Sequence, residues 1–147
     1  MAMYNHIGQV VTNLERSKRF YQEVFGLKPW YEIQPHDVAT AKLCCLTPPL
    51  GVTASYLSLD GLVLELIHYA EPGVTAPFTA RTMNEPGLTH LSMSVDDVRA
   101  AAARAVEFGG QIVEASDVGA ALFVRDPDGQ LIELLPTTYR ESLPPKP

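Results

Sequence analysis

A chain of 147 residues is one ordinary domain's length, enough to bury a real core. Its 17 acidic residues against 11 basic ones, with no basic run, leave no electrostatic footprint for nucleic acid. No apolar stretch approaches membrane-spanning length, Met1-Ala2-Met3-Tyr4 lacks the parts of a signal peptide, and the two cysteines, Cys44 and Cys45, are adjacent, which suits neither a disulfide framework nor a zinc knuckle; the expectation is a soluble cytoplasmic protein without nucleic-acid or membrane partners.

Taken in order, Tyr4 to Thr12 reads as a strand with His6, Gly8, Val10 and Thr12 on one face. Asn13 caps a helix that carries Glu15 in its first turn and ends at Gly26. Trp30 to Gln34 is a second strand, stopped by Pro35. Between Asp37 and Gly51 lies a segment in which Asp37 could cap a short apolar helix ended by Pro48-Pro49; covering the core and closing a pocket are equally good readings of it. Thr53 to Leu59 and Leu62 to Tyr69 form a hairpin across Asp60-Gly61. Residues 70–87, rich in Pro and Gly, read as a linker. Then come a strand over 88–95, a helix from Asp97 to Gly109-Gly110, and strands over 111–115, 120–125 and 130–135. The last residues hold three prolines and read as a frayed tail.

The chain writes this pattern twice. Set His6 over His90 and the neighbours fall into register: Asn13 over Asp97, Leu14 over Val98, Gly26 over Gly110. The stretch Asp60-Gly61-Leu62-Val63-Leu64-Glu65-Leu66 returns as Asp128-Gly129-Gln130-Leu131-Ile132-Glu133-Leu134. The first copy carries extra residues between Gly26 and Asp60. Each copy reads β-α-β-β-β, giving an α+β fold of two modules, 4–69 and 88–136, within one functional domain spanning 1–147 and ending in a tail over 137–147.

A Glu inside an apolar strand needs a reason, because an unpaired buried charge is costly. A lone strand His is more often a satisfied polar group than a ligand. His6, Glu65, His90 and Glu133 change that balance together: two imidazoles and two carboxylates, delivered symmetrically by two copies of one module, are an N/O donor set suited to a divalent transition metal. His68, three residues after Glu65, is turned to the other face of its strand, and His36 follows Pro35 in a loop; both read as surface or core residues. Cys44 and Cys45 have no base beside them in sequence, which argues against a nucleophilic role.

The paired modules, the opening His, the helix start at Asp97-Val98 and Asp126-Pro127-Asp128-Gly129 followed by Glu133-Leu134 resemble the vicinal oxygen chelate superfamily over residues 4–136. That group includes glyoxalase I, methylmalonyl-CoA epimerase, extradiol dioxygenases and the fosfomycin and bleomycin resistance proteins. The resemblance implies an open, barrel-like mixed sheet around one divalent ion (Ni, Co, Zn, Mn or Fe) held by His6, Glu65, His90 and Glu133. It also implies a homodimer acting on a small molecule that chelates the ion through two oxygens. A His-Glu-His-Glu quartet is similar to that of bacterial glyoxalase I. It leaves two positions of an octahedral ion, enough for a bidentate substrate but not for substrate plus O₂, which argues against an extradiol-type dioxygenase. The drug-sequestering members lack metal ligands; a non-enzymatic binder of that kind is the alternative. Glutathione-using glyoxalases place an Arg and an Asn four residues after the first and second ligands, where this chain has Val10 and Tyr69. The resemblance therefore implies a glyoxalase-like lyase, isomerase or epimerase for a substrate other than a glutathione adduct, contacted by Val10 and Tyr69. Glu133 is the expected base and Glu65 its counterpart.

Overall fold

The repeat in sequence is a repeat in topology. The computed structural model describes residues 1–71, 73–74 and 82–144; much of the expected linker and the last three residues of the tail lie outside these. The chain divides into two compact units, Met1–Gln22 with Gly26–Pro77, and Glu23–Phe25 with Phe78–Pro147. The first contains β1 (Ile7–Val10), all but the last three residues of α1 (Leu14–Phe25), β2 (Lys28–Ile33), α2 (Asp37–Leu43), β3 (Val52–Leu59) and β4 (Leu62–Tyr69). The second contains β5 (Leu91–Val95), α3 (Val98–Glu107), β6 (Gln111–Val113), a 3₁₀ turn (Glu114–Ser116), β7 (Leu122–Arg125), β8 (Leu131–Pro136) and α4 (Thr137–Glu141). Each unit folds one four-stranded mixed sheet, in the orders β1-β4-β3-β2 and β5-β8-β7-β6. In each, the first strand runs parallel to the last, and the other pairings are antiparallel. This is the α+β fold of two β-α-β-β-β modules expected from the repeat.

Local chemistry sets the boundaries. The side chains of Asn13 and Asp97 each accept a hydrogen bond from a backbone N–H three residues on, at 2.9 Å, satisfying a donor the helix itself leaves open. At the β3–β4 turn Asp60 (φ 49°) and Gly61 (φ 83°) both adopt positive φ, as a two-residue hairpin whose twist matches its strands requires. Before β8, Asp126 is 2% exposed and its Oδ1 accepts from the N–H groups of Asp128 and Gln130. The Asp-Pro-Asp-Gly motif is thus a side-chain-braced turn that sets the start of the strand carrying Glu133.

In the first unit, Ser17, Phe20 and Tyr21 form the buried face of α1. The Tyr21 hydroxyl donates to Gln9 Oε1 on β1 at 2.9 Å. Gln9 is paired with fully buried Leu66, so α1 covers the face of the sheet that carries Leu64 and Leu66. Alternation then turns Glu65 to the opposite face. In the second unit α3 buries Val98, Ala102 and Ala105, and β8 buries Ile132 and Leu134, leaving Glu133 on the side away from α3. Burying one such Leu or Ile contributes about 1.5–3 kcal/mol, so the alternation in β4 and β8 is strongly specified.

Four expectations are corrected. His6 and His90 stand one residue before the paired segments rather than inside them, because the parallel ladders begin at Ile7 and Leu91. β2 starts at Lys28 rather than Trp30, with a bulge between Pro29 and Tyr31. The cap of α2 is His36, whose Nδ1 accepts from Ala39 N at a long 3.5 Å; Asp37 instead accepts from the N–H groups of Leu50 and Gly51 through Oδ1, both at 2.9 Å, tying the segment's end back to its start. β6 ends at Val113 rather than Ala115, where the 3₁₀ turn Glu114–Ser116 begins. The 37–51 segment serves the first of its two expected purposes, covering the core. Ala41, Leu50 and Val52 form a small core with Ile67 and Tyr69, which lie on the Glu65 side of β4, so α2 covers that end of the face.

Candidate functional site

In each unit a His and a Glu meet. His6 Nε2 lies 3.0 Å from Glu65 Oε2, with the side chains 34% and 14% exposed. His90 Nε2 lies 3.6 Å from Glu133 Oε2, at 26% and 27%. The structure therefore brings together His6 with Glu65 and His90 with Glu133. Among the described residues it gathers no group of three or more His, Cys, Asp or Glu side chains.

The other nitrogen of each imidazole is engaged. His6 Nδ1 is 2.6 Å from Asn5 Oδ1, and His90 Nδ1 is 2.8 Å from Thr89 Oγ1. An amide oxygen only accepts, so Nδ1 of His6 carries the proton. In the neutral ring Nε2 then presents a lone pair to a carboxylate oxygen, and only a proton or a cation can sit between two such acceptors. A fixed outer nitrogen with an inner one facing a carboxylate is also how histidines are oriented toward metal ions. The donor chemistry of both pairs fits a divalent cation.

The pairs sit in matching rows across the two sheets. In the first unit the row is Tyr31, Tyr56, Glu65 and Gly8; in the second it is Val113, Phe123, Glu133 and Ser92. Each His meets the aromatic ring of its row edge-on, Tyr56 at 5.6 Å and Phe123 at 5.2 Å. The carboxylates are held differently. The Tyr56 hydroxyl donates to Glu65 Oε1, and the Ser92 hydroxyl donates to Glu133 Oε2 at 2.7 Å. Burial, then the Glu65 carboxylate, then Tyr31 push the Tyr56 phenol well above the usual tyrosine range, so it stays a donor. Tyr31 stacks on Tyr56 at 4.3 Å. Gly8 leaves room for Glu65, since a Cβ there would lie 3.4 Å from Glu65 Oε2 and 3.3 Å from Ile67 Cδ1.

Val10 and Tyr69 lie on the Glu65 face, beside Ile67 and opposite Val52 respectively. Val10 is 46% exposed. Tyr69 packs against the α2 cluster, and its hydroxyl points to Cys44 Sγ at 3.8 Å; burial, then Cys44, raise its phenol above the ordinary value.

The model of the Glyoxalase/Bleomycin resistance protein/Dioxygenase superfamily matches residues 4–134. The chain belongs to this superfamily. Among solved structures it resembles a glyoxalase family protein from Bacillus cereus, at 18% identity and TM-score 0.73, covering 91% of this chain and 93% of that one. The trypanothione-dependent glyoxalase I of Leishmania major is 27% identical, with TM-score 0.64 and coverage of 92% and 88%. The genomically encoded fosfomycin resistance protein FosX of Listeria monocytogenes is 20% identical, with TM-score 0.63 and coverage of 99% of both chains. No curated protein matches the sequence. Among the described residues, no helix is long and apolar enough to cross a membrane.

Around the two His–Glu pairs stand residues that reading for metal ligands alone missed: Tyr56, Gly8, Ser92, Asn5 and Thr89. One was readable. Tyr56 and Glu65 stand equally far from Asp60-Gly61 on either side, so a two-residue hairpin makes them direct partners.

Proposed function

We propose that the protein is a metal-dependent lyase, isomerase or epimerase that moves a proton at a carbon beside a carbonyl or hydroxyl of a small substrate. The observation that carries this reading is the apposition of an imidazole Nε2 and a carboxylate oxygen, in both repeats, on the sheet face turned away from α1 or α3. His6, Glu65, His90 and Glu133 would hold one divalent ion, drawn from Ni, Co, Zn, Mn and Fe. FosX of Listeria, of like fold, was crystallised with Mn(II). Bound there, the ion would supply Lewis-acid stabilisation of charge building on the substrate's oxygens.

This chain's own residues do the rest. Glu65 is fixed by Tyr56 and by His6, and is the less exposed of the two carboxylates. Glu133 stands farther from its His and keeps a serine hydroxyl as partner. Glu133 is therefore the carboxylate freer to leave its position and take the proton, and Glu65 the one that holds. Asn5 and Thr89 orient the imidazoles. Val10 and Tyr69 line the substrate's side with apolar and aromatic surface in place of an anion-binding fork, so the substrate is not a glutathione adduct. Homodimerisation belongs to this reading, since it would close exposed strand edges.

Elemental analysis of protein purified without chelator tests it, beside His6→Ala and His90→Ala. About one divalent ion per site in wild type, lost in both variants, is expected. A wild type that holds no metal and gains no thermal stability from added ions would leave a non-enzymatic small-molecule binder of the same fold.

A further inference from the structure

Around Glu65 the first sheet presents apolar side chains that its core does not take up. Pairing puts Tyr31, Tyr56 and Glu65 in one row of the face turned away from α1, and Ile33 and Val10 in the next. Glu32, between Tyr31 and Ile33, faces the other way and meets Lys18 of α1 at 3.0 Å. Strict alternation would send Trp30 to that side with Glu32. The bulge between Pro29 and Tyr31 prevents this. Trp30 is the extra residue, and its ring stands edge-on to Tyr31 at 4.9 Å and to Tyr56 at 6.2 Å. Trp30 is 61% exposed, so the core does not need it there; Tyr31, Ile33 and Val10 are exposed too. A lone exposed hydrophobe is ordinary, but four on one face around a His–Glu pair mark a binding surface. The second unit has Val113 at the place of Tyr31, so the aromatic edge belongs to one repeat and not to the framework the two share.

We propose that Trp30 and Tyr31 seat an aromatic ring of the substrate, a small molecule with a ring at one end and its reacting carbon at the other. The occupant follows from continuity with the site. Tyr56 joins the two, its hydroxyl donating to Glu65 while its ring stacks on Tyr31 at 4.3 Å. The two rings carry no formal charge, which suits a neutral group. Contact between rings adds up to about tenfold in affinity beyond what burial alone gives, so this edge favours a ring over an aliphatic chain of equal area. β2 lies two strand spacings from β4, roughly 10 Å, so a few bonds separate the seated ring from the carbon that reacts at Glu65. Assigning the ring to a substrate rests on the proposed function; ring binding at Trp30 does not.

Trp30 is the chain's one tryptophan, so its emission reports this edge alone. The full chain, in chelator-treated and Zn(II)-loaded forms, is titrated with 3-phenyllactate and with lactate, which differ only by the ring. A saturable blue shift with phenyllactate, absent with lactate, is expected as the ring displaces water from the indole. By calorimetry Trp30→Ala should weaken phenyllactate about tenfold and leave lactate unchanged, and Trp30→Phe should restore most of the loss. No saturable shift in either form, or equal phenyllactate affinity in Trp30→Ala, overturns the proposal. So does a blue shift that follows protein concentration without ligand, with the mass of two chains in sedimentation, because the edge is then an interface between copies. Zinc separates the ring site from the proposed function. A phenyllactate shift that Zn(II) does not tighten keeps the ring site and removes the metal reading, whereas tightening of both acids by Zn(II) with no shift keeps the metal reading and removes the ring site.

Discussion

Tyr56 donates its hydroxyl hydrogen to Glu65, whereas Phe123, which holds the same place opposite Glu133, has none to give. The repeat is thus symmetric in framework and asymmetric in the chemistry around its two carboxylates. Tyr56→Phe keeps the ring that stacks on Tyr31 and removes only the donor. Loss of such an outer partner typically lowers metal affinity about 10–100-fold. We expect a shift of that size in a competition titration with a chromogenic chelator, with far-UV dichroism unchanged. Equal affinity would make the Tyr56 hydrogen bond purely structural.

Glu133→Gln and Glu65→Gln separate holding from proton transfer. At matched metal occupancy, a one-base enzyme should lose about 10²–10⁴-fold in turnover with Glu133→Gln and much less with Glu65→Gln. An epimerase needs a carboxylate on each side, so both variants would then fail. Full activity in metal-loaded Glu133→Gln excludes it as the base. Solvent deuterium appearing at the reacting carbon is the accompanying isotope signal.

Gly8→Ala adds a methyl group between Ile67 and the Glu65 carboxylate, at 3.3 and 3.4 Å. These contacts are tight but not prohibitive, so the neighbours must give slightly. A stability loss of about 1 kcal/mol in urea denaturation is expected, at the low end for overpacking. Metal affinity should fall by more than that loss alone explains, because the methyl pushes on a ligand. Unchanged metal affinity would show that Glu65 does not need the space.

Methylglyoxal–glutathione adduct should be a poor substrate even with metal restored, because Val10 and Tyr69 offer neither a guanidinium nor an amide to a glutamyl carboxylate. Turnover on the order of 10 s⁻¹ or above would overturn this.

One surface pair gives a pH signature. Arg99 reaches Asp117 through two hydrogen bonds of 2.5 and 2.7 Å. With the Gly119 N–H they lower the Asp117 carboxyl from 3.8 to about 2. A carboxyl whose folded pKa lies below its unfolded one stabilises the fold above the unfolded value. That contribution is lost as pH falls through the window between the two. Asp117→Asn should flatten the melting-temperature profile between about pH 4 and 2 relative to wild type. Parallel profiles would show that the pair contributes nothing to stability.

Much of this was legible in the sequence because period and punctuation are local. The Asp60-Gly61 and Asp126-Pro127-Asp128-Gly129 turns, the Asn13 and Asp97 caps, and the alternation that turns Glu65 and Glu133 away from the helix-covered faces all follow from neighbours in the chain. The pairing of each His with its Glu followed from the repeat. What stayed hidden depends on strands that meet only after folding. The bulge at Trp30 and the support of Glu133 by Ser92 need the register across two chain segments. The cap on α2 went to His36 because Asp37 was taken by two backbone donors from the far end of its own loop, a contest no local rule resolves.

The turn at Asp60-Gly61 has a consequence far from itself. Its two positive-φ residues fix which residue of β3 faces which residue of β4. Side chains alternate strictly along a strand, so sliding the hairpin by a single residue would exchange Glu65 for Leu64 or Leu66 on the open face. The turn is therefore a gauge for the carboxylate. Lengthening it by one residue could silence the site while every side chain within it stays as it is.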